Sequence, residues 1–478
     1  MKTKDIFIRS CLIFTFLVLA LCILAKNGFN AQVYEDEAIA IGDLWYAMEI
    51  NSGHIKMDAA ERADRIAKLK NRKVLYLVSK DELLDSPPAK GEVFAYIITY
   101  DPAGFVIITG DDSLEPILAF DVKSQFRWDE PERNFLRYFT GKEMEKRWRH
   151  LKDKVEEGEI VEVHPNWQKL RIKLDKREMP EEVIFNLSEA PQPPAILLQW
   201  ETALWDQGWP YNDVVVTNNG NTSGIPTGCT ATAMAIKMRF HSWPPGGSGS
   251  HSYTDILGSI QFSHSANFGA QTYNWTNMPT GNLTQANADV ANLMYHCGVA
   301  VDMNYEGVIS RAWPTASSMN TYFRYKGTEE KWFSHEVPVR DSIIGGLPVI
   351  LGTTAHTVVA DGYRDALSPY YHLNCGWGGS NGWFNFDQIP GGDSTLDRSY
   401  PYSSPNNFIY VDSVWRLFPD GNIQNAFENI SQGVSTVPTD GHLWIKAGTY
   451  TGKDNVPITI NKAMIIRSYG GTATIGEP

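Results

Sequence analysis

The chain is short of cysteine, of basic excess and of long apolar runs, and each shortage removes a class of function. Only five cysteines occur in 478 residues: Cys11, Cys22, Cys229, Cys297 and Cys375. None stands in a paired CxxC arrangement and there is no HExxH segment, so neither a disulfide framework nor a zinc site is offered, and no cofactor or metal is expected. Lys and Arg number 42 against 55 Asp and Glu, a formal net charge of −13, which leaves no basic stripe for nucleic acid. The apolar run from Cys11 to Ala25 falls short of the roughly 20 residues that span a bilayer. With Lys2, Lys4 and Arg9 ahead of it, it reads as an export signal over residues 1–31, cleaved after Ala25 or Ala31. The mature protein is then expected to be secreted or held at the cell surface, with Cys229, Cys297 and Cys375 as its cysteines.

The chemistry gathers around one of those three. In Pro226-Thr227-Gly228-Cys229-Thr230-Ala231-Thr232-Ala233-Met234-Ala235-Ile236-Lys237 a thiol stands where a turn enters a helix of small residues. Free N–H groups and the macrodipole at a helix start favour thiolate, the nucleophilic form. Gly228, lacking a Cβ, is read as leaving room for a substrate backbone beside the sulfur. The candidate base is His356, in the apolar stretch Leu347 to Gly362, read as one strand whose alternation puts His356, Val358 and Ala360 on one face. Two histidines compete with it. His241 lies about 18 Å along the helix from Cys229, outside hydrogen-bond reach, and His372 is read as packing or support. Asn374 is the candidate that accepts the imidazole N–H and orients the ring. Cys297, spaced helically with Val290, Leu293 and Met294, reads as a core thiol.

Three stretches, Trp205 to Asn212 (WDQGWPYN), Pro226 to Pro244 and His372 to Phe386, together resemble the streptopain family of secreted bacterial cysteine peptidases. Ala95 to Asp121 is similar to that family's prosegment, and the likeness runs over roughly residues 35 to 412. The resemblance implies an α+β fold: a papain-like two-lobed peptidase preceded by an α+β prosegment that inhibits it in cis. It implies Gln207 as the oxyanion donor beside the Cys229 amide, and protein or peptide substrates with an apolar side chain two positions before the cut. One departure stands out. The family's Asn is followed by Trp-Gly-Trp-Gly-Gly, whereas Cys375 takes the place of the first Trp here, leaving Trp377 to pack near the site.

Composition divides the rest. Residues 32–190 form a first unit, the prosegment by the resemblance, with an amphipathic helix Glu35 to Ile50, a charged helical stretch Asp58 to Lys73 and a helix Asn134 to Glu157. Its strands Val93 to Tyr100 and Phe105 to Thr109 form a hairpin across Asp101-Pro102-Ala103-Gly104. Glu189 to Pro194 is Pro-rich, and activation cleavage is expected between Asn186 and Gln199. The peptidase occupies 195–412, helical in its first half and strand-rich from Pro348 to Val411. Residues 413–478 are β-rich: Gly441 to Tyr450 and Pro457 to Ser468 resemble the opening coils of a right-handed parallel β-helix, short of the three or so repeats a solenoid needs, so a truncated solenoid is one reading and a small β-module packed on the peptidase the other. This region is the expected route to surface or glycan contact.

The leading expectation is therefore a secreted cysteine endopeptidase made as a zymogen. Two alternatives stay open: a Cys-His amidase or transglutaminase-like enzyme, and a surface carbohydrate- or matrix-binding protein with a decayed peptidase domain.

Overall fold

The computed structural model describes residues 32–126, 135–175, 195–198, 202–215, 224–312, 316–326, 336–385, 398–411 and 426–476, except 53, 55–56, 90, 258–259, 307–308, 353–355, 401–403, 406–407, 440 and 453. The export signal lies outside the described residues, as does the expected cleavage segment apart from 195–198. The chain divides into two compact units, Met1–Gln125 with Tyr138–Ala190 and Phe126–Arg137 with Pro191–Pro478. Among the described residues no helix is long and apolar enough to cross a membrane.

The first unit begins with α1 (Glu35–Asn51), whose first turn carries Glu35, Asp36 and Glu37 at the positive end of the helix. It is enclosed on more than the one face that an amphipathic pattern implies: Asp43 and Glu49 are buried along with Ile41, Leu44, Trp45, Tyr46 and Ile50. Partners supply the reason, since Asp43 pairs with Arg72 at 3.1 Å and accepts the Tyr100 hydroxyl at 3.3 Å. The charged stretch after it gives a shorter helix than expected, α2 (Ala59–Ala67), capped by Asp58 accepting from the Glu61 N–H at 2.8 Å. Lys73 instead opens β1 (Lys73–Leu77), followed by β2 (Leu83–Leu84), β3 (Ala95–Thr99), β4 (Phe105–Thr109) and β5 (Ile117–Asp121). These strands lie antiparallel in the order β5-β4-β3-β1-β2. The anticipated hairpin is present, with Thr99 opposite Phe105 and the Tyr100 N–H bonded to the Gly104 carbonyl at 2.9 Å. Helices α3 (Phe135–Glu156) and α4 (Pro165–Asp175) follow, and Trp167 of α4 is buried with its indole N–H on the Leu114 carbonyl.

In the second unit, β6 (Ala195–Leu197) precedes α5 (Cys229–His241), the hairpin β7 (His251–Leu257) and β8 (Ile260–Ala266), and α6 (Ala288–Val299). The alanines of α5 let it pack closely on α6: Ala231, Ala235 and Ile236 share one core with Leu293, Met294 and Cys297. A short hairpin of β9 (Asn304–Glu306) and β10 (Ile309–Arg311), then α7 (Ala316–Phe323), β11 (Tyr325–Lys326) and α8 (Glu336–Ile344), lead to the strand-rich half. There the stretch Leu347 to Gly362 is not one strand. It is a hairpin of β12 (Val349–Gly352) and β13 (Thr357–Asp365), paired Val349↔Ala360 through Gly352↔Thr357. Both strands are buried on both faces almost throughout, so no alternation marks the reversal in sequence. With β14 (Pro369–Asn374), β15 (Gly382–Phe384) and β16 (Arg398–Tyr400) they run β16-β12-β13-β14-β15, with β6 also on β13.

After β17 (Ser404–Pro405), which pairs with β11, comes β18 (Phe408–Val411), and after α9 (Ile430–Thr436) come β19 (Gly441–Tyr450) and β20 (Met464–Ile475). Strands β18, β19 and β20 form a parallel sheet. The last strand starts at Met464, later than the expected Pro457. On β19, Leu443 and Ile445 enter a small core with Ile430, Val434 and Val437, while the Trp444 ring packs against Gly346.

One group within this unit opposes folding. Lys237, midway along α5, is completely buried with no hydrogen-bond partner for its Nζ among the described residues, and burial pushes its amine down to about 7. An unfolded lysine binds its proton up to about pH 10.4, so the folded form loses stability as pH falls from there toward 7. Lys237→Met is expected to stabilise the protein by roughly 3–4 kcal/mol at pH 7 and to flatten the pH dependence between 7 and 10. Urea unfolding at several pH values checks this; equal slopes in variant and parent would contradict it.

Candidate active site

Helix α5 starts at Cys229, and no side chain caps it, so its first N–H groups lie open beside the sulfur. Cys229 is half-buried. Burial pushes its thiol up, but the charge of His356, a hydrogen bond to that imidazole and hydrogen bonds to Thr357 outweigh it and bring the thiol to about 7. The imidazole responds in kind: burial pushes it down, while the Cys229 thiolate, the hydrogen bond to it and the Cys375 carbonyl raise it above the ordinary histidine value. The hairpin brings this pair together, because His356 sits immediately before β13 rather than within a strand.

Gly228 has a different task from the one its missing Cβ suggests. Its φ is +87°, and a Cβ there would lie 2.6 Å from Sδ and Cε of Met303. The space beside it is filled by protein, and the glycine lets the chain turn sharply into the helix.

Asn374 is close by but does not orient the ring. His356 Nε2 lies 3.0 Å from the Cys375 carbonyl oxygen, which can only accept, so Nε2 carries the proton and Nδ1 is left to face the sulfur. The Asn374 amide donates instead to the Ala203 carbonyl at 2.9 Å, and its oxygen accepts the Gly376 N–H at 3.1 Å. Asn374 thus fastens the loop after β14 to the segment that leads to Gln207. A backbone carbonyl can serve as acceptor whatever its side chain, so sequence gave no sign of the Cys375 contact. Trp377 does pack on the site, its ring stacked on the His356 imidazole at 5.9 Å between centroids and 12° between planes.

Gln207 is buried, and its side-chain Nε2 has no hydrogen-bond partner among the described residues. Its carbonyl accepts the Thr227 N–H at 2.9 Å, two residues before the sulfur, and Asn212 Nδ2 donates to the Ile225 carbonyl at 2.7 Å. The segment Trp205 to Asn212 is thereby tied to the turn that carries the nucleophile. An unengaged amide donor held there has the character of an oxyanion donor.

The rival residues fall elsewhere. His241 is bonded to the Tyr325 hydroxyl, and burial first, then Lys237, holds it well below the usual imidazole range. His372 is paired with the buried Asp361 at 2.5 Å and lies edge-on to Trp383. Cys297 is a core thiol, as its spacing implies, raised by burial and lying 3.7 Å from the Met238 sulfur. Among the described residues no group of three or more His, Cys, Asp and Glu is placed to hold a metal ion.

Comparison with known proteins matches residues 205–384 to the Peptidase C10 family and residues 32–145 to the Spi protease inhibitor family. The chain is similar to the thiol protease/hemagglutinin PrtT of Porphyromonas gingivalis, 26% identical over 328 residues that cover 64% of this chain and 35% of that protein. It is also similar to streptopain of Streptococcus pyogenes, 26% identical over 348 residues covering 65% and 79%. The chain therefore spans about a third of PrtT's length. Of solved structures, a prointerpain A fragment from Prevotella intermedia is 25% identical with a TM-score of 0.49, covering 64% of this chain and 94% of the fragment. Active interpain A is 28% identical with a TM-score of 0.37, covering 44% and 93%.

The sulfur titrates upward into its reactive form, so alkylation of Cys229 by iodoacetamide is expected to rise with pH and reach half its maximum near pH 7. In His356→Ala the lowering partner is gone, and the midpoint should move above about 8.5. Peptide mapping of the labelled protein across a pH series measures both midpoints; coincident midpoints would refute the pairing.

Proposed function

We propose that the chain is a secreted cysteine endopeptidase made as a zymogen, with Cys229 as nucleophile and His356 as its base, a reading supported by the match of residues 205–384 to the Peptidase C10 family. The observation that carries this reading is the half-buried thiol at a helix start whose proton is displaced by the adjoining imidazole. The sulfur attacks the scissile carbonyl carbon. The Cys229 amide and Gln207 Nε2 receive the oxygen that turns negative, and His356 gives its proton to the leaving amine. Water then hydrolyses the thioester, with His356 taking the water's proton. In this scheme the Cys375 carbonyl orients the imidazole, and Asn374 holds the loop that supplies it.

The N-terminal region from 32 to about 190 acts as inhibitor in cis, and its similarity to the Spi protease inhibitor family over 32–145 supports that reading. Export rests on the basic start and apolar run of residues 1–31; N-terminal sequencing of the exported protein tests it. The C-terminal module is read as parallel coils with a contact role: an offset of 23 positions between the paired Gly441 and Met464 makes one parallel return, and β20 exposes Ile465, Ile466 and Ile475. Ile465→Ser with Ile466→Ser should weaken retention on immobilised glycan while leaving peptide turnover unchanged; equal retention would remove the contact role.

The deciding experiment treats the purified protein with an irreversible thiol-directed epoxide before and after removal of the N-terminal region. Label is expected on Cys229, and after removal alone. Label on Cys229 at equal rates in both samples would refute the zymogen, and no label on it in either would refute the peptidase.

A further inference from the structure

Asp206 precedes the candidate oxyanion donor, and one oxygen of its carboxylate is committed to backbone. Oδ1 accepts the N–H of Gln207 at 2.6 Å and that of Gly208 at 2.9 Å, closing a tight turn over the residue whose side chain must point correctly. Oδ2 faces another way. A Cβ added to Gly378, where φ is +60°, would lie 3.1 Å from it, so the carboxylate fills space that a side chain at 378 would need. Gly378 is anchored in the same direction, its N–H donating to the Trp205 carbonyl at 3.1 Å. It also adjoins Trp377, whose ring covers His356. One carboxylate therefore holds the backbone of the oxyanion donor with one oxygen and fills space beside the imidazole-covering loop with the other.

We propose that Asp206 is a positioning residue for peptide hydrolysis, setting the Gln207 amide at the oxyanion position and in register with the loop of Trp377. The proposal rests on the peptidase reading above. It acts through hydrogen bonds rather than through charge, because both bonds of Oδ1 are to neutral N–H groups of the turn that bears the donor. A donor displaced by a fraction of an ångström loses the developing oxyanion while the ground-state substrate still binds.

The test uses the processed enzyme and a fluorogenic peptide. Asp206→Ala is expected to lower kcat about 10- to 100-fold with KM within about twofold of the parent. Gln207→Ala should cost about 10²- to 10³-fold in kcat, and Asp206→Ala added to it should cost nothing more. Iodoacetamide should alkylate Cys229 at the parental rate in Asp206→Ala, since the thiolate pair is untouched. Asp206→Asn, which keeps an acceptor oxygen at the right distance, should restore most of kcat; Asp206→Glu, which keeps charge but is a methylene too long, should not. That last comparison decides the matter even if the alanine variant fails to fold. Parental kcat in Asp206→Ala, losses that multiply with Gln207→Ala, or Glu rescuing better than Asn would overturn the positioning role alone. Full activity in Gln207→Ala would overturn the oxyanion assignment and this proposal with it, while loss of Cys229 alkylation in the parent would point to failure of the peptidase reading itself.

Discussion

A cysteine partly shielded from water keeps its proton unless something close by carries positive charge. In this chain that something is one imidazole, delivered by the reversal between β12 and β13, and most of the second unit can be understood as what keeps it there. The dependence runs both ways: the same burial that disfavours thiolate disfavours imidazolium, and each is tolerable only in the presence of the other. A half-buried pair gains strength from the reduced dielectric around it, so small displacements carry large electrostatic consequences.

Three backbone segments converge on the pair. The turn before α5 is fixed by the left-handed Gly228 against Met303. The segment from Ala203 to Asn212 is stitched to that turn through Thr227 and Ile225. The loop after β14 is stitched to the same segment by Asn374 and by the Gly378 N–H. The result is a closed set of hydrogen bonds in which backbone donors and acceptors hold one another, a common way of making side chains precise without a large hydrophobic contribution of their own.

Much of this was legible beforehand, and what was not has a physical reason. Cys229 stands out as a candidate because a thiol at the head of a small-residue helix has few other uses, and Gln207 because its neighbours resemble a family pattern. The hairpin at residues 349–365 escaped because strands buried on both faces show no polar alternation at their turn. Asn374 was assigned the task of the Cys375 carbonyl because main-chain acceptors leave no trace in side-chain identity. Helix α1 looked one-sided because Asp43 and Glu49 count as polar in a pattern, although the first is neutralised by partners far away in sequence. The hairpin of β7 and β8 went unremarked, although buried and exposed residues alternate along parts of both strands.

The stack of Trp377 on His356 has a bearing on charge as well as on shape. An indole face carries negative quadrupolar density, and a cation within about 6 Å of it is attracted while a neutral ring gains little. The indole that takes up position 5.9 Å from the imidazole thus favours the protonated ring, and through it the ionised sulfur. An aromatic side chain stacked on the imidazole thereby helps to determine the nucleophile's protonation state, and with Cys375 where the family pattern has a tryptophan, this indole carries that influence from the loop after β14.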